Sequence, residues 1–144
     1  MPYTMRWLVD KRVVLTEFEG GITADDLREF VAELKQYISE GTPLVHHISN
    51  SHQIKKVEMS LGTLRSVAGA AAVIGQLGWQ IDINTNPINK MFAGIGAQFA
   101  GIRSRTFATM DEAIEFLKGN DVTLQKLDWL MDDTGNVEKE TLNP

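Results

Sequence analysis

Apolar positions along this chain change period several times, and each change marks an element. Residues 5–9 and 12–18 are short apolar runs separated by Asp10-Lys11, and they predict two strands joined as a hairpin. In the second run Val13 and Leu15 alternate with Val14, Thr16 and Phe18, which suits a strand covered on both faces. Gly20-Gly21 is expected to break that strand. From Thr23 the period becomes helical. Leu27, Phe30, Val31, Leu34, Tyr37 and Ile38 recur three and four residues apart, so one stripe is buried. Thr23 is a good N-cap, Asp25 and Asp26 sit where the helix dipole favours negative charge, and Gly41 with Pro43 stops the helix.

A third strand is expected over 44–48, then a polar loop over 49–56 and a helix over 60–74, ended by Gly75 and Gly78. The stretch Ser66-Val67-Ala68-Gly69-Ala70-Ala71-Ala72 has few large side chains, so something must approach that helix closely. Residues 79–84 read as a fourth strand. Asn86-Pro87 opens a third helix, with Pro at the first helical position and Ile88, Met91, Phe92, Ile95 and Phe99 as its apolar stripe. Gly94 and Gly96 weaken that helix by about 1 kcal/mol each relative to Ala, and Gly101 ends it. Residues 103–107 predict a fifth strand, and Thr109 with Glu112 forms a capping box for a helix to Leu117. A short amphipathic helix is expected within 121–131, and 132–144 is read as a polar, acidic tail on a single domain spanning 1–131. Strands separated by helices imply parallel pairing through crossovers, so the expectation is an α/β fold. It would be a mixed five-stranded sheet with an N-terminal antiparallel hairpin and four or five amphipathic helices.

Composition narrows the chemistry. With 144 residues, 43% apolar and 23% charged, the chain can bury a core without a staple. There is no cysteine, which excludes disulfides, thiolate zinc, iron–sulfur ligation and a cysteine nucleophile. Net charge is −5, so the electrostatic footprint of a nucleic-acid binder is missing. No apolar run approaches a membrane span and no signal peptide is evident, so the expected setting is the cytoplasm.

The element order, with three stretches of sequence, resembles the SpoIIAA-like proteins of the STAS superfamily, small bacterial α/β domains. The stretches are Val13-Val-Leu-Thr-Glu-Phe-Glu-Gly-Gly-Ile-Thr-Ala-Asp-Asp-Leu27, then Leu77-Gly-Trp79 with Asn86-Pro87, then Arg103-Ser-Arg-Thr-Phe-Ala-Thr-Met-Asp-Glu-Ala-Ile-Glu-Phe-Leu117. Together they cover roughly Arg12 to Lys118. The resemblance implies a partner-binding switch rather than an enzyme. In the phospho-regulated antagonists of that group an Asp-Ser pair opens the helix after the third strand, and the serine is phosphorylated. Here the matching stretch is Lys56-Val57-Glu58-Met59-Ser60-Leu61, with a serine and no Asp-Ser pair. Ser60 is also a natural N-cap, which explains it without phosphorylation.

All three histidines fall in His46-His47-Ile48-Ser49-Asn50-Ser51-His52. Adjacent His46 and His47 on a strand point to opposite faces, so they make a poor joint metal site. His47, Ser49 and His52 are the components of a hydrolase, but no local carboxylate orients them. His47, Ser49, Asn50 and His52 nevertheless sit where open α/β sheets bind ligands. Arg103 and Arg105 share a strand face, either to hold an anion or to blunt an edge, and edge protection is favoured. Gly94-Ile95-Gly96 lacks the lysine and the strand-to-helix placement of a phosphate loop.

The leading expectation is a non-catalytic binding or regulatory module for an apolar or amphiphilic small molecule or a protein partner. It needs no cofactor and no metal. Its expected ligand groove runs between the second and third helices, using Ala70, Met91, Phe92, Gly94, Ile95 and Phe99, with His47, Ser49, Asn50 and His52 at the mouth. The alternatives are the small hydrolase and a homodimerisation domain packed through the small-residue helices.

Overall fold

In the computed structural model, described over residues 2–71, 76–86, 90, 94 and 101–130, the chain begins with the expected hairpin. Strand β1 (Tyr3–Val9) pairs antiparallel with β2 (Val13–Thr23). Lys11 takes a positive φ of 62° to turn the chain, and the Arg12 N–H closes the turn on the Val9 carbonyl. Helix α1 (Ala24–Glu40) follows at once. Its N-cap Thr23 accepts from the Asp26 N–H while Asp26 accepts from the Thr23 N–H, a reciprocal capping box.

The sheet then grows by parallel addition. β3 (Val45–Glu58) joins β2, β4 (Leu77–Ile83) joins β3 and β5 (Ser104–Phe107) joins β4, so spatial order equals chain order. Helix α2 (Leu61–Ala71) lies between β3 and β4, and α3 (Met110–Asn120) follows β5 with its own capping box from Thr109 and Glu112. This is the mixed five-stranded α/β sheet expected, with three helices described rather than four or five. Of the helix expected after Asn86, only Asn86, Lys90 and Gly94 are among the described residues. Met91, Phe92, Ile95 and Phe99, the side chain of Ala70, and the tail 132–144 lie outside them.

Several boundaries differ for physical reasons, among them the start of β4, which takes in Gly78. Gly20-Gly21 does not end β2. Gly20, at φ 73°, absorbs a bulge, after which Ile22 and Thr23 pair with Val57 and Glu58. Residues 49–56 are therefore strand rather than loop, because β2 runs on beside them. The short helix expected within 121–131 is a 3-10 turn (Val122–Lys126), and an extended stretch then brings the Leu130 N–H onto the Leu8 carbonyl.

Both faces of the sheet are covered. Leu8, Val13, Leu15, Ile48, Ile81 and Ile83 pack under Ala113, Leu117 and Leu124, which come from α3 and the 3-10 turn. Tyr3, Met5, Val14, Phe18, Ile22 and Val45 pack under Leu34 and Ile38 of α1. Burial of this extent is the main stabilising term of such a fold.

Candidate functional site

β3 carries all the histidines, and the pleat separates them. His46 lies on the α3 face. Its Nδ1 accepts the Trp79 N–H at 3.0 Å, so the proton sits on Nε2 and is donated to Asp121 Oδ2 at 3.1 Å. Asp121 also accepts from Arg12 at 2.6 Å, which ties β2 and β3 to the end of α3. Burial would raise the Asp121 carboxyl. Bonds from Thr123 and His46 and the Arg12 charge outweigh it and hold the group below its ordinary range. His46 is lowered, chiefly by burial.

His47 is fully buried on the opposite face. Its Nδ1 donates to Gln80 Oε1 at 2.6 Å and its Nε2 accepts from the Thr16 hydroxyl at 2.8 Å. The Phe30 ring of α1 lies 5.5 Å away. Burial pushes its pKa down to about 4, so the ring is neutral at physiological pH.

Beyond His47 the same face continues polar. Asp82 Oδ1 accepts from Ser49 at 3.1 Å and Ser51 at 2.6 Å, and burial raises this carboxyl. Asp82 Oδ2 and Asn84 Nδ2 are both buried, and the Asn84 amide opposes the rise of the Asp82 carboxyl, while Asn84 Oδ1 accepts the Asn86 N–H. Asn50 is half-buried, and its Oδ1 accepts the His52 N–H. His52 is exposed and bonds the Ala108 carbonyl at 3.1 Å.

His47, Ser49 and His52 thus do not form one cluster. No histidine bonds a serine hydroxyl among the described residues, and each ring already serves a structural partner. No three His, Asp or Glu side chains gather as metal ligands among the described residues. Thr16, Gln80, Asp82 and Asp121, the groups that engage these side chains, were not singled out from sequence. One signal was visible: Gln80-Ile81-Asp82-Ile83-Asn84 alternates strictly, polar on one face.

Ser60 is exposed at the start of α2, and its Oγ accepts the Thr63 N–H at 3.1 Å, the geometry of an N-cap. Between α1 and α2 lies an open cleft of about 330 Å³. Val31, Ala32 and Val67 line it together with Ser66, Arg28 and Lys35. At the other end of the sheet, Arg103 and Arg105 both stack on Trp79, their guanidinium carbons 5.0 and 5.3 Å from its ring centroid. Arg105 also donates to the Ser104 carbonyl at 3.1 Å. No helix of the described residues is long and apolar enough to cross a membrane.

No protein-family model and no curated protein matches the chain. Solved structures do. The chain is similar to an uncharacterised protein of the DUF3478 family with a SpoIIAA-like fold from Shewanella loihica PV-4. That match has a TM-score of 0.57 at 13% identity and covers 80% of this chain and 91% of that one. The anti-sigma factor antagonist SpoIIAA in its unphosphorylated form matches with a TM-score of 0.56 at 18% identity, over 81% of this chain and 96% of its own. The Bacillus cell fate determinant SpoIIAA in its phosphorylated form gives 0.52 at 18% identity, over 80% and 98%.

The fold is SpoIIAA-like. At these identities the likeness concerns the SpoIIAA-like architecture alone. Ser60, the N-cap of α2, is preceded by Met59.

Proposed function

We propose that this chain is a non-catalytic binding or regulatory module of the cytoplasm, one that takes an anionic amphiphile or an amphipathic segment of a protein partner. The observation that carries this reading is the α1–α2 cleft. Its apolar lining of Val31, Ala32 and Val67 suits a hydrocarbon or aromatic group, and Lys35, with Arg28 beside its partner Asp25, suits the negative end of the same molecule. A volume of about 330 Å³ is at the small end of ligand sites, so the guest is a compact one or a few side chains of a larger partner.

Two further facts support the reading. Among the described residues no histidine ring bonds a serine hydroxyl, so a serine–histidine pair is not assembled there. The fold is shared with an anti-sigma factor antagonist, a protein whose work is regulatory. Ala70, Met91, Phe92, Gly94, Ile95 and Phe99, with His47, Ser49, Asn50 and His52, belong to the same proposal as candidate contacts for an apolar guest.

The test is uptake of anilinonaphthalene sulfonate, an apolar anion whose emission rises on burial. The native protein is expected to bind it. Ala32→Trp, which fills the cleft from an exposed position, is expected to abolish uptake. Arg28→Glu with Lys35→Glu should weaken it strongly. Native mass spectrometry of the freshly purified protein reads any retained guest directly. No uptake, or uptake indifferent to all three substitutions, defeats the proposal.

A further inference from the structure

The cleft does not account for the other end of the sheet, where β5 forms an edge. The bonds from the Gln80 N–H to the Arg103 carbonyl and from the Asn84 N–H to the Phe107 carbonyl fix which backbone groups face β4. With Gln80 opposite Ser104 and Asp82 opposite Thr106, the groups of Arg103, Arg105 and Phe107 face inward and those of Ser104 and Thr106 face outward. Among the described residues no strand pairs with that outer edge. Arg103 and Arg105, two residues apart, lie on the Trp79 face, exposed and flanking the open edge.

These two cations differ from others in the chain. Arg12 has Asp121 and Arg28 has Asp25 as carboxylate partners. Arg103 and Arg105 have none among the described residues. Both guanidinium groups lie within reach of one indole. The Trp79 ring packs on Phe116, whose ring centroid is 5.0 Å away, and its backbone N–H is bonded to His46. The arginines are therefore pre-positioned without being neutralised.

We propose that the outer edge of β5 receives an extended acidic segment of a partner protein, with carboxylates at alternate positions paired to Arg103 and Arg105. An added strand repeats its side-chain direction every second residue, which is the spacing of the two arginines. Its backbone completes the outward groups of Ser104 and Thr106, displacing the Arg105 guanidinium from the Ser104 carbonyl. A second copy is a poor occupant, because its own β5 sets Arg against Arg, and like charges directly opposite repel. One device thus rejects self-pairing and selects an acidic strand.

The test uses the full chain and a short fluorescein-labelled peptide alternating Glu with Val, followed by anisotropy. Binding is expected, weaker as salt rises. Arg103→Glu with Arg105→Glu should weaken it at least about tenfold and confer binding of the matching Lys–Val peptide. The milder pair Arg103→Gln and Arg105→Gln should show the loss alone if charge reversal disturbs folding. Thr106→Pro removes an outward N–H, leaves both charges in place, and should also weaken the peptide. Absence of binding, or binding untouched by Thr106→Pro, overturns the proposal. So does displacement by inorganic phosphate as effective as displacement by unlabelled peptide, which would mark a free-anion site.

Discussion

His46 and His47 are neighbours in sequence with the full thickness of the sheet between their rings. One is fixed by Asp121 and the Trp79 N–H beneath α3, the other by Thr16 and Gln80 beneath α1. Each works as a structural bolt on its own face. A side chain often chosen for acid–base chemistry is used here to join strands.

His47 makes stability depend on pH in a definite direction. Its unfolded pKa is 6.5 and its native value about 4, so between these values the unfolded chain holds more protons. Stability from this group is complete above pH 6.5 and is lost as pH falls toward 4, about 3 kcal/mol across the window. Asp82, raised in the native state, acts in the opposite sense, gaining stability as pH falls through its native value. Residue-resolved NMR separates them. The His47 ring signals should stay unmoved through the neutral range and shift only near pH 4, whereas titration near 6.5 would contradict the buried assignment.

Asp121 joins three parts of the chain, so its loss should be costly. Asp121→Ala removes the partner of Arg12, the acceptor for His46 and the acceptor for the Thr123 N–H. We expect a loss of about 2–3 kcal/mol in urea unfolding. Asp121→Asn keeps an acceptor oxygen and should lose roughly half as much.

Gly78 carries a steric requirement. A Cβ there would meet Nδ1 and Cε1 of His46 at 2.5 and 2.6 Å. The imidazole cannot retreat without breaking its bonds to Trp79 and Asp121. Gly78→Ala should therefore destabilise by about 1–3 kcal/mol, read as a fall in Tm. In Gly78→Ala combined with His46→Ala the steric part of that cost should vanish.

Much of the architecture was legible because local chemistry and tertiary packing agree. Thr23 with Asp26 and Thr109 with Glu112 announce their helices, and the stripe that includes Val31, Leu34 and Ile38 is the buried one. The second half of β3 was not legible. Ser49 and Ser51 look like loop residues, yet they are buried because Asp82 faces them from β4. Glycine misled for a related reason. Gly20-Gly21 bulges a continuing strand, and Gly78 belongs to β4 because a histidine ring occupies its side-chain space. At the site, alternation alone put His46 and His47 on opposite faces. Their partners depend on register between strands, which no single segment encodes.

Ser60 offers a clean separation of capping from phospho-regulation. Ser60→Ala should cost α2 about 1 kcal/mol, and Ser60→Asp should recover most of it, since a carboxylate also caps. If Ser60→Asp instead changes dye uptake with stability intact, charge at this position controls binding.

Residues 132–144 have few large apolar side chains and an excess of acids. Truncation after Met131 is expected to leave Tm nearly unchanged in a calorimetric scan. A drop of several degrees would place the domain boundary later.

The backbone bond from Leu130 to Leu8 has a kinetic meaning. Because strands join in the order in which they are made, most of the sheet can accrete as the chain lengthens. The first strand, though, waits for residue 130 before that carbonyl gains its partner. We expect the two ends of the described chain to open together. Amide exchange at Leu130 should report fraying of β1, although α1, α2 and the whole breadth of the sheet lie between them in sequence.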